Sequence, residues 1–241
     1  MLTGMATSPE TRFKLTYWPI AFRGCFVSYL FAYRDEPLEI VDDMDDVVAI
    51  RQLPVPDQDV PFIGPPLLHD RQANITLSQV PAIALYASPI LGLAPGDPAE
   101  RAMCMKILMD CNDLLTEICR YNGSMMWLRE DWIEFRSSRL PRWLRVFEVS
   151  LTRGHLGKAE VTFADISVYA LLGNMTRCLP ALRPDVEQAA PGIARLCQEI
   201  GAKPSLAAAV ARDSENYGDV YCGGQIEQSI RKMLAMDAGQ S

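Results

Sequence analysis

The sequence has only two histidines, His69 and His155, and none of its seven cysteines forms a CxxC pair. A metal centre built from His and Cys needs clustered donors, and a dithiol redox site needs two close cysteines, so both classes are excluded. Cys25, Cys104, Cys111, Cys119, Cys178, Cys197 and Cys222 are odd in number and fall mostly within apolar helical patterns. That usage reads as buried, reduced thiols of an intracellular protein. Clustered Lys/Arg stripes are also missing, and the formal net charge is −7. Nucleic acids and anionic membranes are bound chiefly through basic patches, so neither is expected as the main partner. No apolar run approaches the ~20 residues of a membrane span, and Met1 to Arg12 is too polar for a secretory signal. A soluble, cytoplasmic protein without metal is expected.

The 241 residues, 49% of them hydrophobic, suffice for a substantial core in one large or two small domains. Residues 1–11 read as a loose tail. Lys14 to Trp18 reads as a strand stopped by Pro19, which lacks a ladder donor. From Arg23 the spacing of Phe26, Val27, Leu30 and Phe31 is helical, and Glu36-Pro37 breaks it. Leu38 to Val41 gives a second strand, and the β-α-β order favours a parallel pair. Residues 42–63 are irregular, with a short helix near Val47 to Gln52 and an acidic run at Asp42, Asp43, Asp45 and Asp46 that reads as a solvated face. Gly64 to Leu68 and Asn74 to Leu77 read as an antiparallel hairpin turning at His69 to Ala73. A helix follows from Ser78 to Leu91, with Pro81 in its first turn.

Gly92 to Gly96 is a linker by composition, and everything beyond reads as helical. Asp97 is the N-cap of the next helix, Pro98 its first residue and Glu100 the carboxylate that reaches back. Ala102, Met105, Leu108, Met109, Leu115 and Ile118 mark its buried stripe. A second long helix spans Met126 to Leu151 and bends at Pro141. Thr162 and Asp165 form a capping box, with Val161 stapled onto Ile166. Helices at Pro191 to Ile200 and Ser205 to Arg212 complete the bundle, and a weak helix at Gln225 to Met236 either packs on the surface or frays.

This order, together with four local motifs, resembles the cytosolic glutathione transferases over roughly residues 13–213. Lys14-Leu15-Thr16-Tyr17 with Tyr29 to Tyr33 is similar to the sigma class, which includes the glutathione-dependent prostaglandin D synthases. Gly64-Pro65-Pro66-Leu67-Leu68 falls at that family's cis-proline loop, Gln79-Val80-Pro81-Ala82-Ile83 at the start of its third helix, and Thr162 to Asp165 at its folding box. The resemblance implies an α/β thioredoxin-like N-terminal domain (12–92), which binds glutathione. It implies an all-α C-terminal domain (93–213) with a hydrophobic substrate site, followed by an extension (214–241).

The resemblance assigns Tyr17 to the sulfur of glutathione. A thiol with a pKa of about 8.5 must be held as thiolate to attack at neutral pH, and a phenol O–H bonds strongly only to the anion. One unit of pKa reduction corresponds to roughly 1.4 kcal/mol. Arg23 matches an arginine whose field supports the anion. Read from the residues alone, Tyr17 is an aromatic packed between sheet and helix, and Arg23 a surface cation at a helix start. The resemblance further places Pro65 and a cis Pro66 against the cysteinyl backbone, Gln79 and Val80 on the γ-glutamyl carboxylate, Arg51 on the glycyl carboxylate, and Asp113 on the γ-glutamyl amine of the partner subunit in a homodimer. Asp113 reads equally as an exposed helix carboxylate.

The electrophile is expected between the domains, against Pro19 to Phe22 and against Met105, Met109 and Tyr121. Those methionines read equally as core. Departures from the family pattern are specific. Pro65 has no N–H to give the ligand, and Val80 stands where the family has a serine hydroxyl, a loss of about 1.5–3 kcal/mol if nothing substitutes. Cys25, Phe26, Val27 and Ser28 stand where the family commonly has an acidic residue, then Pro or Ile, and an arginine that helps tie the domains together, so that interface is expected to be built differently. Cys25 itself reads as a buried structural thiol. Two functions follow: activation of glutathione for attack on, or isomerisation of, a hydrophobic electrophile, or a related binding protein with little catalysis.

Overall fold

The computed structural model describes residues 11–239; the tail expected at 1–11 lies, Thr11 apart, outside them. Four short strands form one mixed sheet in the order β2-β1-β3-β4: β1 Phe13–Thr16, β2 Leu38–Val41, β3 Leu67–Asp70 and β4 Ile75–Ser78. β1 runs parallel to β2, with Leu15 opposite Ile40, and antiparallel to β3, with Leu15 opposite Leu68. β3 and β4 form the expected hairpin, with Leu68 opposite Leu77. The strand expected at Gly64 to Leu68 begins later, because Gly64 to Pro66 only leads into it. His69 lies inside β3, bonded to Thr76 across the hairpin at 2.9 Å.

Helix α1 (Cys25–Tyr33) lies behind the sheet, and Cys25 to Phe31 are buried without a break. A helix that is apolar all round must be covered on every side. The sheet covers one face, with Phe13 edge-on to Phe31 at 4.9 Å between ring centroids. The helical half of the chain covers the other. α2 (Met44–Gln52) starts earlier than expected because Asp43 caps it, accepting from the N–H groups of Asp45 and Asp46. One residue of the acidic run is therefore a cap as well as a solvated charge. α3 (Val80–Ile90) closes the first unit.

α4 (Pro98–Ile118) is capped by Asp97, which accepts the Glu100 N–H at 2.8 Å. Glu100 does not reach back; its carboxylate takes Lys158 at 2.7 Å instead. The second long helix is α5 (Arg129–Glu134) and α6 (Leu140–Thr152) joined by one wide turn, Phe135–Arg139. That wide turn absorbs the lost donor and ring of Pro141, so the irregularity lies just before the proline. α7 (Phe163–Val168) carries the capping carboxylate: Asp165 accepts from Thr162 N–H at 2.8 Å, Thr162 O–H at 2.7 Å and Gly157 N–H at 2.8 Å. A second wide turn, Tyr169–Gly173, leads into α8 (Asn174–Cys178). α9 (Arg183–Ala189), α10 (Pro191–Gly201), α11 (Pro204–Tyr217) and α12 (Gly224–Asp237) follow. The helix expected over 205–212 thus continues to Tyr217.

The C-terminal segment is docked. Asp237 accepts from Trp132 Nε1 at 2.8 Å and from Arg136 at 2.7 Å, and it also pairs with Arg129 at 2.5 Å. Burial pushes that carboxyl up, but these donors win and hold it below the usual range. Among the described residues no helix is long and apolar enough to cross a membrane.

Asp70, at the end of β3, ties the sheet together. Its buried carboxylate accepts from Arg12 at 2.6 Å, from Tyr86 O–H at 2.8 Å and from the Gln72 N–H at 2.9 Å. The Arg12 guanidinium first, then the Tyr86 and Ala73 donors, hold it far below the usual carboxylate range against burial. A carboxyl depressed on folding contributes stability above its unfolded pKa of about 3.9, and loses it as pH falls through the folded value. Asp70→Asn is therefore expected to lower the urea midpoint at neutral pH and to flatten its decline below about pH 4. Parallel acid limbs in the two proteins would contradict this.

Candidate active site

β1 ends at Thr16, but the ladder reaches one residue further, since Tyr17 N–H donates to Val41 C=O at 3.0 Å. Pro19 then turns the chain, and Ile20 N–H closes the turn on Trp18 C=O at 2.7 Å. The return into α1 brings the Arg23 N–H onto the Tyr17 phenol oxygen at 2.9 Å. The oxygen accepts there, which leaves its own proton to be donated elsewhere. Gly24 makes the approach possible: a Cβ at that position would stand 2.4 Å from Tyr17 Cδ1 and 2.8 Å from Cγ. Burial pushes the Tyr17 pKa well above its ordinary value, outweighing the opposite pull of Arg23, so the phenol keeps its proton at neutral pH.

Arg23 is more than a surface cation. Its guanidinium donates to Asn112 Oδ1 at 2.6 Å, Thr116 Oγ1 at 3.3 Å and Asn122 Oδ1 at 2.9 Å. Asn112 and Thr116 lie one turn apart on α4. Asn122 reaches the group because Arg120 to Asn122 all have positive φ, which folds the chain back after α4. All these partners are neutral, so the positive charge is held in place without being cancelled by a carboxylate. The same bonds join the two halves of the chain. Asn174 Nδ2–H, donating to Ala21 C=O, and Tyr217 O–H, donating to Asp42, do the same. Cys25 adds Sγ contacts to Phe22 C=O at 2.9 Å and Ala170 C=O at 3.5 Å, and burial drives its thiol pKa up, as suits a structural thiol.

A cavity of about 870 Å³ opens between the halves, and Tyr17, Arg23, Arg51 and Pro65 all line it. Arg51 is exposed at its rim and donates to Ile63 C=O at 3.2 Å. Pro66 is buried, and the bond between Pro65 and Pro66 is cis. The other expected site residues lie outside the lining. Gln79 is exposed ahead of α3 with φ +71°, and Val80 is buried as the first residue of that helix. Asp113 is exposed on α4, and among the described residues its carboxylate has no hydrogen-bond or ion-pair partner.

The apolar wall differs from the expected one. Pro19, Ile20 and Phe22 line the cavity, but Met105, Met109 and Tyr121 do not. Met105 packs on the core, Met109 is partly exposed and Tyr121 points to solvent. Met44, Met126 and Ile226 supply the wall instead.

Ile226 belongs to the segment expected either to pack on the surface or to fray. Cys222 to Ile226 cover one side of the cavity. Glu227 fixes this segment by accepting the N–H groups of Tyr221 at 3.0 Å, Cys222 at 3.1 Å and Gly223 at 2.7 Å, while Arg231 Nε donates to its other oxygen at 2.8 Å. Gly223 and Gly224 have φ +72° and +64°, a conformation that side chains disfavour. The only signal for this in the sequence is the Cys222-Gly223-Gly224 stop before a helix with Glu227 in its first turn.

The family profile described as glutathione S-transferase, C-terminal domain, matches residues 103–233. The chain therefore belongs to the glutathione S-transferase family, which uses glutathione as cosubstrate. Solved structures share the fold. The prostaglandin synthase D of Nilaparvata lugens is 19% identical with a TM-score of 0.68, covering 83% of this chain and 97% of its own. A Pi-class glutathione S-transferase of Onchocerca volvulus is 19% identical with a TM-score of 0.69, covering 88% and 98%. The glutathione S-transferase of Ascaris lumbricoides is 21% identical with a TM-score of 0.67, covering 84% and 97%. No curated protein sequence matches the chain.

Arg23→Ala removes the guanidinium bonds to Asn112, Thr116 and Asn122. The expected cost is about 1–3 kcal/mol of unfolding free energy, read from urea denaturation. An unchanged midpoint would show that these bonds do not hold the halves together.

Proposed function

We propose that this sigma-class-like glutathione transferase activates the glutathione thiol through Tyr17 and directs the thiolate at a hydrophobic electrophile, by conjugation or by glutathione-assisted isomerisation. The observation that carries the reading is the Tyr17 phenol, which accepts from the Arg23 N–H and keeps its own proton beside the 870 Å³ cavity. An N–H donor on the phenol oxygen polarises the O–H and strengthens its bond to an anion. The uncancelled charge of Arg23 adds to the same field.

Residues 12–92 would hold glutathione, with the glycyl carboxylate on Arg51 and the cysteinyl backbone along Pro65 and Pro66. Gln79 and Val80, at the start of α3, offer a helix N-terminus to the γ-glutamyl carboxylate. The helical domain, 93–213, and the extension beyond it supply the electrophile's wall through Met126 and Ile226. Asp113, exposed and without a partner among the described residues, would serve the site of a second subunit, which makes a homodimer part of the proposal. Detoxification of apolar electrophiles in the cytoplasm fits such a site.

Pro65 and Val80 favour a second reading, a glutathione-transferase-like binding protein with little catalysis. Val80 is buried and brings no hydroxyl, and Pro65 brings no N–H. Retention on immobilised glutathione separates the two, since the binding-protein reading predicts passage through the column and no turnover.

Tyr17→Phe keeps the ring and loses one charge-assisted hydrogen bond, so kcat/KM toward an electrophilic aryl halide should fall about 10- to 100-fold. Glutathione retention should persist. Gly24→Ala, which pushes the same ring aside, should lower turnover similarly without unfolding the protein, as circular dichroism would show. Full activity in both variants would remove Tyr17 from the mechanism.

A further inference from the structure

The face of the sheet turned away from α1 carries a smaller space of its own. Phe13 packs on Phe31 of α1, so strand alternation sends Lys14 and Thr16 to the opposite face. His69 stands opposite Lys14 on β3, and Thr76 opposite His69 on β4, so one polar row crosses that face. Ile50 of α2, Leu53 just after it, and Val60 and Phe62 of the following loop close over the row. The cavity between them has a volume of about 180 Å³. It shares no lining residue with the Tyr17 cavity, and the two lie back to back: Tyr17, Arg51 and Ile63 follow Thr16, Ile50 and Phe62 in the chain. The roof is braced. Gln58 Nε2 donates to Leu53 C=O at 3.2 Å, and Gln58 Oε1 accepts the Phe62 N–H at 2.9 Å. Pro54, Pro56 and Pro61 stiffen the loop between.

The polar groups that line this space are left without partners. Lys14 is half-buried, and among the described residues its ammonium makes no hydrogen bond or ion pair. Glu39, its neighbour on β2, gives its carboxylate to Arg71 at 2.5 Å. Thr16 is only 4% exposed, and its hydroxyl has no partner among the described residues. His69 engages Thr76 through Nδ1 at 2.9 Å, which leaves Nε2 for another partner. A half-buried ammonium without a counter-ion and a buried hydroxyl without a hydrogen bond each cost free energy that a bound anion would offset. Lys14 supplies one positive charge, and Asp59 stands exposed at the rim with a negative one, so a monoanion suits the site better than a dianion. Ile50, Leu53, Val60, Phe62 and Leu67 make the remaining lining apolar, and the volume limits the ligand to a few heavy atoms.

We propose that this cavity binds a short aliphatic monocarboxylate, separately from the glutathione site. Lys14 pairs with the carboxylate, and the Thr16 hydroxyl donates to it. With Thr76 O–H donating to Nδ1, the His69 imidazole carries its proton on Nε2 and offers it to the same group. The aliphatic end lies against Phe62 and Leu67. The proposal does not depend on the catalytic reading of Tyr17.

The chain's two histidines make the test site-specific, since His69 lines this cavity and His155 lines another. Histidine-labelled full-length protein is titrated with sodium butanoate and followed by carbon–proton NMR of the imidazoles, with His155→Gln assigning the signals. A saturable shift of His69, with His155 unmoved, is expected. Lys14→Gln should raise the half-saturating butanoate concentration about tenfold or more, and Thr16→Val severalfold. The thermal midpoint should stay unchanged in both, and Lys14→Arg should keep part of the affinity. The same shift with butanol, tighter binding of inorganic phosphate, or wild-type affinity in the variants would each overturn the assignment. Displacement of butanoate by S-hexylglutathione would place it in the Tyr17 cavity and overturn it too, as would a His69 signal that does not move.

Discussion

Helix α1 has no face that tolerates water, and the architecture follows from covering it. The sheet alone covers only one side of Cys25 to Phe31. The helical half of the chain has to close over the rest, which sets where the two halves meet. Because that meeting starts at the N-terminus of α1, the Tyr17-to-Gly24 turn lies at the seam, with the cavity beside it. The polar bonds that join the halves, led by Arg23 to α4, surround this seam, and α1 takes part through the Cys25 thiol at its start. They explain how the two halves stay joined without an arginine among Cys25 to Ser28.

At the seam, local geometry and chemistry coincide. The same turn that brings the Arg23 N–H onto the phenol also demands glycine at residue 24, since a Cβ there would overlap the ring. Burial keeps the phenol protonated against the pull of the Arg23 N–H, and that bond orients the O–H, which is what a hydrogen bond to a sulfur anion requires. The C-terminal segment then narrows the cavity. Its position depends on Glu227 gathering successive backbone N–H groups, so this wall of the cavity belongs to a part of the chain with no strong pattern of its own.

The fold was largely legible in the sequence because its signals are local. The β-α-β order, the hairpin, the Asp97 N-cap and the Asp165 carboxylate all rest on residues close in the chain. Boundaries failed where a side chain decided them: Asp43 started α2 early, and His69 stayed in β3 through its bond to Thr76. Of the candidate site, the structure brings Tyr17, Arg23, Arg51 and Pro65, named from the sequence, to one cavity. The apolar wall was not legible in the sequence. Helical spacing marks Met105 and Met109 as facing inward, but it does not say whether inward means core or cleft. The turn at Arg120 to Asn122 and the Glu227 cap bring in distant residues that no period announces. Gln79, Val80 and Asp113 stand apart from the cavity, and their proposed duties rest on the family resemblance.

The central claim is that Tyr17 donates to the sulfur of bound glutathione. It is tested most directly by titrating the ultraviolet absorbance of the glutathione thiolate in the binary complex, in the wild-type protein and in Tyr17→Phe. The account predicts a bound thiol pKa at least about one unit below the reference of about 8.5 in the wild type, returning toward it in the variant. The same pKa in both proteins, or no thiolate at neutral pH in the wild type, would contradict it.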